Sequence, residues 1–265
     1  MPRSDSDTAG DLASSFADRP IALVTGGVRR VGLAVAHALA AAGCDLIVTW
    51  RTDAEVARKA AAQLHEAGAN VRLERLDLED LAAVAALGEM LAVELKRLDV
   101  IVHNASVYGP TPLACTTSEA VSRHFRVNAI SPLLLSSRLA GRLAESPRPG
   151  GGSIVAMLDI HALGRPRRGF SAYSMSKAAL AEMVYSLARE LAPRVRVNGV
   201  APGVVAWPEL GPEADPDAQR KYLKRVPLGQ AGTPHDAAEA VRWLALDAHY
   251  VTGEIVRVDG GRWVA

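Results

Sequence analysis

From Pro20 onward, short apolar runs alternate with longer stretches in which alanine and leucine recur among charged residues. The runs are IALV from Ile21, DLIVTW from Asp45, NVRLERL from Asn70, LDVIVH from Leu98, SIVAML from Ser153, RVRVNGV from Arg194 and EIVRV from Glu254. Their apolar character is nearly continuous, as expected of strands covered by helices on both faces of a parallel sheet. Between them the spacing predicts helices ending near Ala42, Ala67 and Leu95, and helical stretches from about Ser118 to Glu145. A further helix bears Tyr173, and a last one runs from about Pro234 to Leu246. This βαβ repetition predicts one α/β domain, a Rossmann-like doubly wound parallel sheet with helices on both faces, over residues 19–265. Gly/Pro-rich loops fall at 146–152 and 202–217, and the second is long enough to be an active-site flap.

Composition adds little. The formal net charge of +1 gives no general pull toward nucleic acid or membranes. Cys44 and Cys115, far apart in the chain, suit neither a disulfide framework nor a metal knuckle, so no metal is expected and a reducing, cytoplasmic setting is. Residues 1–18 lack the apolar centre of a secretion signal and are expected to form a flexible tail on a soluble protein.

The candidate chemistry gathers between Ser153 and Leu191, where a strand, a loop and a helix carry Asp159, Tyr173 and Lys177. Tyr173 and Lys177 are one helical turn apart and share a face, so both heads address one small volume. A nearby ammonium favours a phenolate, and this predicts that Lys177 brings Tyr173 down from the ordinary phenol pKa of about 10. Upstream, TGGVRRVG over 25–32 follows the first strand and opens the first helix, an arrangement that presents backbone N–H groups to a pyrophosphate. Arg30 stands where many such turns have glycine, within reach of phosphate or of a bound substrate. The second strand ends in Trp50, Arg51 and Thr52; the guanidinium and hydroxyl, with Arg29 near, predict NADPH rather than NADH. The alternative is that Arg51 is a solvated charge and Asp53 binds the ribose. Asp77 and Leu78 are placed to meet the adenine, Asp77 being equally readable as an N-cap. Asn104, Ala105 and Ser106 follow the fourth strand and can line the cofactor.

With TGGVRRVG, HNAS, VNAISP, YSMSK and RVRVNGVAPG in order, residues 20–264 resemble the short-chain dehydrogenase/reductase family. Arg30, the Trp-Arg-Thr ending of the second strand, NASVYGPTPL over 104–113 and Asp159 in MLDIH resemble its pteridine reductase branch. The resemblance implies a tetrameric NADPH enzyme in which Tyr173 delivers a proton, Lys177 holds the nicotinamide ribose and Asn128 anchors Lys177 through a water. Gly26, Arg30, Gly32, Arg51, Thr52, Asp77, Leu78, Asn104, Ala105, Ser106, Pro202 and Gly203 would line the cofactor, and Arg30 and Ser106 would also meet the substrate.

Most reductases of the family carry serine where this chain has Asp159. An ionised carboxylate accepts hydrogen bonds and repels an oxyanion, so a plain ketone fits poorly and a pterin, with its ring N–H donors, fits better. The alternative is that Asp159 closes an Asx-turn. Tyr108 matches an aromatic that sandwiches the heterocycle in the branch, and Trp207 lies on the flap, where it can shield the pterin. His103 and His161 read as a strand-end and a loop residue. Arg165, Arg167 and Arg168 could meet an acidic folate tail but read more simply as solvated. The substrate expected is a 7,8-dihydropterin, with dihydrofolate a further candidate. Two other readings stay open: a carbonyl reductase of the 3-ketoacyl type and a non-catalytic NADPH sensor. The last four residues, Arg262 to Ala265, could reach a neighbouring subunit's site.

Overall fold

The computed structural model describes residues 19–209, 211 and 213–265; the tail expected over 1–18 lies outside the described residues. Seven strands form one parallel sheet: β1 (Ile21–Val24), β2 (Asp45–Trp50), β3 (Val71–Arg75), β4 (Val100–His103), β5 (Gly152–Met157), β6 (Val195–Pro202) and β7 (Ile255–Val258). Their order is β3-β2-β1-β4-β5-β6-β7, so the winding reverses between β1 and β4. Register there pairs Ala22 with Val100 and Val24 with Val102, and it brings the C-terminal ends of both strands to one edge, where open α/β sheets build their sites.

Helices α1 (Arg30–Ala41), α2 (Ala54–Glu66) and α8 (Pro234–Leu246) cover one face. Helices α3 (Leu81–Glu94), α5 (Ser131–Ala144) and α6 (Ser171–Glu190) cover the other. Side chains alternate along each strand, so Leu23, Ile101, Ile154 and Val197 enter one core while Val24, Val102, Val155 and Val200 enter the other. Both sets are fully buried, which is why the central strands read as nearly continuous apolar runs. The edge strands are the exceptions: β3 is half-buried up to the exposed Arg75, with VRLER alternating as an edge strand does, and β7 buries only Ile255 fully.

Two elements differ from expectation. The helical stretch from Ser118 is broken: α4 (Ser118–Phe125) passes through a π-helical turn at Arg126–Ile130 before α5 begins, with Pro132 in its first turn. Proline has no N–H to continue a helix, and the wide turn meets it; such turns cluster at functional sites. The flap expected over 202–217 ends in a short helix, α7 (Pro216–Leu223), started by the Asp215 side chain accepting the Asp217 N–H.

Candidate active site

The C-terminal ends of the strands open into one cleft of about 630 Å³. Its floor is the turn between β1 and α1. Gly26 has φ +62°, and a Cβ at Gly32 would lie 2.2 Å from the Gly26 carbonyl oxygen and 2.5 Å from Asn104 Nδ2. Asn104 seals this corner by donating from Nδ2 to the carbonyls of Thr25 and Gly26 at 3.0 and 3.1 Å. No side chain caps α1, so its first amides face the cleft without a protein acceptor from that source. That cradle of close backbone and free helix amides is what a pyrophosphate requires.

The arginines of this region are engaged. Arg30, itself at φ +50°, donates to the carbonyls of Ala206 and Trp207 at 3.1 and 2.8 Å, and so holds the flap. Arg29 pairs with Asp53 at 2.9 Å. Asp53 also caps α2 by accepting from the amides of Glu55 and Val56. Both of its oxygens are thus in use, which counts against the alternative role of ribose acceptor. Arg51 lines the cleft 3.6 Å from Glu79, which also accepts from Arg123 Nε at 2.7 Å. Thr52 is exposed and lies outside the cleft lining. Asp77 does line it and is not the helix cap; Asp80 caps α3, taking the amides of Ala82 and Ala83. Leu78, Ala105, Ser106, Pro202 and Gly203 line the cleft as well.

At the inner end, α6 brings up Tyr173 and Lys177, 6% and 2% exposed. The Tyr173 hydroxyl donates to Asp159 Oδ2 at 2.8 Å, and Asp159 Oδ1 accepts the His161 N–H at 2.7 Å. The Asx-turn and the contact to the phenol therefore coexist, one oxygen serving each. Burial first, then the charge of Asp159 and the bond to it, push the Tyr173 pKa well above the usual phenol value. This corrects the expectation of a Tyr173 lowered by Lys177. The reason is geometric, since Lys177 Nζ donates to the Met157 carbonyl at 2.6 Å instead. Burial lowers the lysine to about 8, the Asp159 charge partly opposing it. Tyr173 is a neutral donor here, aimed at a carboxylate.

Asn128, on the π-helical turn, bonds both backbone groups of Val107: Oδ1 accepts its N–H at 2.9 Å and Nδ2 donates to its carbonyl at 3.0 Å. The same amide donates to Ser176 Oγ at 2.9 Å, so it is bonded to the residue beside Lys177 rather than to Lys177 itself. Tyr108, one residue past Val107, packs edge-on to Tyr173 with ring centroids 4.8 Å apart and stacks on Phe170 at 5.1 Å. Trp207 meets Tyr222 of α7 edge-on at 5.6 Å, and both line the cleft.

Among the lining residues that sequence reasoning did not name as site residues are Arg123, Arg167, Glu213 and Tyr222. The expectation that Arg165 and Arg167 are solvated does not hold. Arg167 pairs with Glu213, and Arg165 donates to the carbonyls of Arg262 and Ala265. Arg168 is exposed. The available signal was the position of a flap acid opposite a basic loop; which of them meet depends on the tertiary fold. His103 is the buried strand-end residue expected, 2.7 Å from Ser136 Oγ and held neutral by burial, which takes its pKa down to about 3. His161 is in the short turn after β5, with Nδ1 3.0 Å from the Arg165 carbonyl oxygen.

Comparison with known proteins matches residues 27–262 to a family model described as enoyl-(acyl carrier protein) reductase. The chain is 31% identical over 242 residues to 3beta-hydroxysteroid dehydrogenase 1 of Eggerthella lenta, covering 90% of this chain and 92% of that one. It is 31% identical over 280 residues to pteridine reductase 1 of Leishmania tarentolae, covering 91% and 96%. A crystal structure from Sinorhizobium meliloti 1021, described as a short-chain alcohol dehydrogenase, superposes with a TM-score of 0.85 at 27% identity, covering 93% of this chain and 97% of that one. On the family match, these relatives and the shared sheet, the chain belongs to the short-chain dehydrogenase/reductase family of nicotinamide-dependent oxidoreductases.

Proposed function

We propose that the chain is an NADPH-dependent reductase of pterins, converting 7,8-dihydropterins, dihydrofolate among them, to their tetrahydro forms. The observation that carries this reading is the bond from the Tyr173 hydroxyl to Asp159. A serine at that position would donate to a ketone oxygen, whereas the carboxylate accepts, and it suits a substrate that presents N–H groups and takes up a proton on nitrogen. Tyr173, kept neutral, is the donor of that proton; Asp159 holds the phenol in place by accepting from it, and the proton that Tyr173 gives up is replaced from solvent. The ring of Tyr108 beside them offers a face to a flat heterocycle, and Trp207 closes over it from the flap.

The residues present fit a nicotinamide dinucleotide. Gly26, Gly32 and the first amides of α1 would take the pyrophosphate, with Asp77 and Leu78 at the adenine. Asn104, Ala105, Ser106, Pro202 and Gly203 would line the nicotinamide half, and Lys177 its ribose. Arg51, which lines the cleft, would favour a 2′-phosphate, with Arg29 near it but paired to Asp53. When bound, the reduced cofactor supplies the hydride. The same reading includes a cytoplasmic homotetramer. Among the described residues no helix is long and apolar enough to cross a membrane, and Met175 and Tyr185 stand exposed on α6, available to a second copy.

A second reading, reduction of a carbonyl, draws on the relative named as a hydroxysteroid dehydrogenase and on the neutral Tyr173, which could protonate an alkoxide. A non-catalytic sensor has no need of Tyr173, Lys177 and Asn128 together. The three separate by following NADPH oxidation with 7,8-dihydrobiopterin, with NADH and a ketone ester run alongside. Turnover of the dihydropterin with NADPH is expected, and Asp159→Ser should lower it by about a hundredfold, the scale of a lost acid–base group. Reduction of the ketone ester alone would overturn the pterin reading, and no turnover of anything would favour the sensor.

A further inference from the structure

The outer end of the cleft holds a charge cluster that the proposed chemistry leaves unused. Arg167, in the loop before α6, forms an ion pair with Glu213 of the flap, and both bond the hydroxyl of Tyr108. That hydroxyl lies 2.9 and 3.2 Å from the two Glu213 oxygens. The Arg167 guanidinium also sits 4.5 Å from the centre of the Phe170 ring, on which Tyr108 stacks. Gln219 of α7 donates to the Glu213 backbone carbonyl at 3.1 Å, tying this part of the flap to the helix behind it. The two side chains are 35% and 22% exposed, so the pair stands at the mouth, partly withdrawn from water.

We infer that Arg167 and Glu213 form a clamp that sets substrate preference by the charge of the substrate's outer end. A guanidinium presents a planar fork that suits a carboxylate, and Glu213 is such a carboxylate supplied by the protein itself. A tethered group competes at an effective concentration of order millimolar, so a substrate's tail carboxylate must displace it before gaining anything from Arg167. A ring held against Tyr173 and Tyr108 directs its substituent toward this mouth. A neutral substituent leaves the pair intact; an acidic one opens it. The neighbouring cations do not take over the role: Arg165 is spent on the C-terminal carbonyls, and Arg168 is exposed and outside the cleft lining. Removing only the Glu213 charge converts a neutral mouth into a cationic one.

The inference rests on the pterin reading for its test ligands alone. Calorimetric binding to the full chain saturated with NADP+ compares folic acid, which carries a glutamate tail, with biopterin, which does not; neither is turned over in that complex. Glu213→Gln is expected to shift the ratio of the two dissociation constants by about tenfold toward folic acid, the scale of one charge-assisted contact. Arg167→Gln should remove that gain in the double variant, and about 0.5 M salt should reduce it, because the pair is partly exposed. A ratio within twofold of the wild type in Glu213→Gln would overturn the clamp. If neither pterin binds, the pterin reading fails separately. The same ratio is then taken with a 3-oxo acid and its methyl ester, where equality of wild type and Glu213→Gln again overturns the clamp.

Discussion

Lys177 carries its ammonium into a place with almost no solvent, with the Met157 carbonyl as its hydrogen-bond acceptor. In an unfolded chain a lysine titrates near 10.5, and in the fold this one does so at about 8. Between those values the unfolded state binds more protons, so the lysine's contribution makes stability rise with pH across that window. At neutral pH, below both values, the buried charge costs about 3 kcal/mol. Lys177→Met without cofactor is therefore expected to melt several degrees above the wild type at pH 7, with the gap closing toward pH 10. Thermal melts at both pH values check this, and a lower melting temperature for the variant at pH 7 would count against the sign. The same variant should lose turnover, the mark of a residue retained for chemistry at the expense of stability.

Among the elements, the turn joining β1 to α1 leaves little room for change. Gly32→Ala places a methyl against the Gly26 carbonyl and Asn104 at distances no real side chain tolerates. The expected cost is about 1–3 kcal/mol of stability, as for other overpacked sites. Cofactor affinity should also fall at least tenfold, because the shift occurs where the backbone must approach a phosphate; titration of intrinsic fluorescence with NADPH reads it. A glycine so placed was visible in the sequence, since TGG after an apolar run and before an alanine-rich helix has a local cause. So were all seven strands, because burial on both faces makes the central ones predominantly apolar, with a few buried polar residues such as Ser153, Arg196 and Asn198 among them. The π-helical turn at Arg126–Ile130 was not, for its reason lies in what Asn128 must reach across the fold. The lowered Tyr173 was also misjudged: helical spacing places Lys177 near it, but which acceptor the ammonium finds is decided by the end of β5. Asp159, by contrast, was legible as a departure from a resembling pattern, and it makes both the Asx-turn and the bond to Tyr173.

Over the whole molecule, the flap is pinned at both ends of the cleft. Arg30 holds its carbonyls at residues 206 and 207 from the start of α1, and Arg167 with Tyr108 holds Glu213 from the opposite wall. Neither hold is apolar, so each can be released by a ligand that offers the same charge. Arg30→Ala is expected to speed amide hydrogen exchange over 204–209 by about tenfold, the loss of roughly one kcal/mol of charge-assisted bonding, while the sheet amides keep their protection. Unchanged exchange in the flap would mean that Trp207 and Tyr222 hold it without help. The bonds made by Asn128 have a different reach. Its side-chain amide exchanges a donor and an acceptor with Val107 just as a neighbouring strand would, so one residue of a helix acts as a surrogate strand for a loop that has none. Aspartate there could accept from Val107 but would have no proton for its carbonyl or for Ser176. The backbone that leads into the aromatic ring beside Tyr173 is thus held by a single amide, and one widened turn of helix is the distortion that lets the amide reach it.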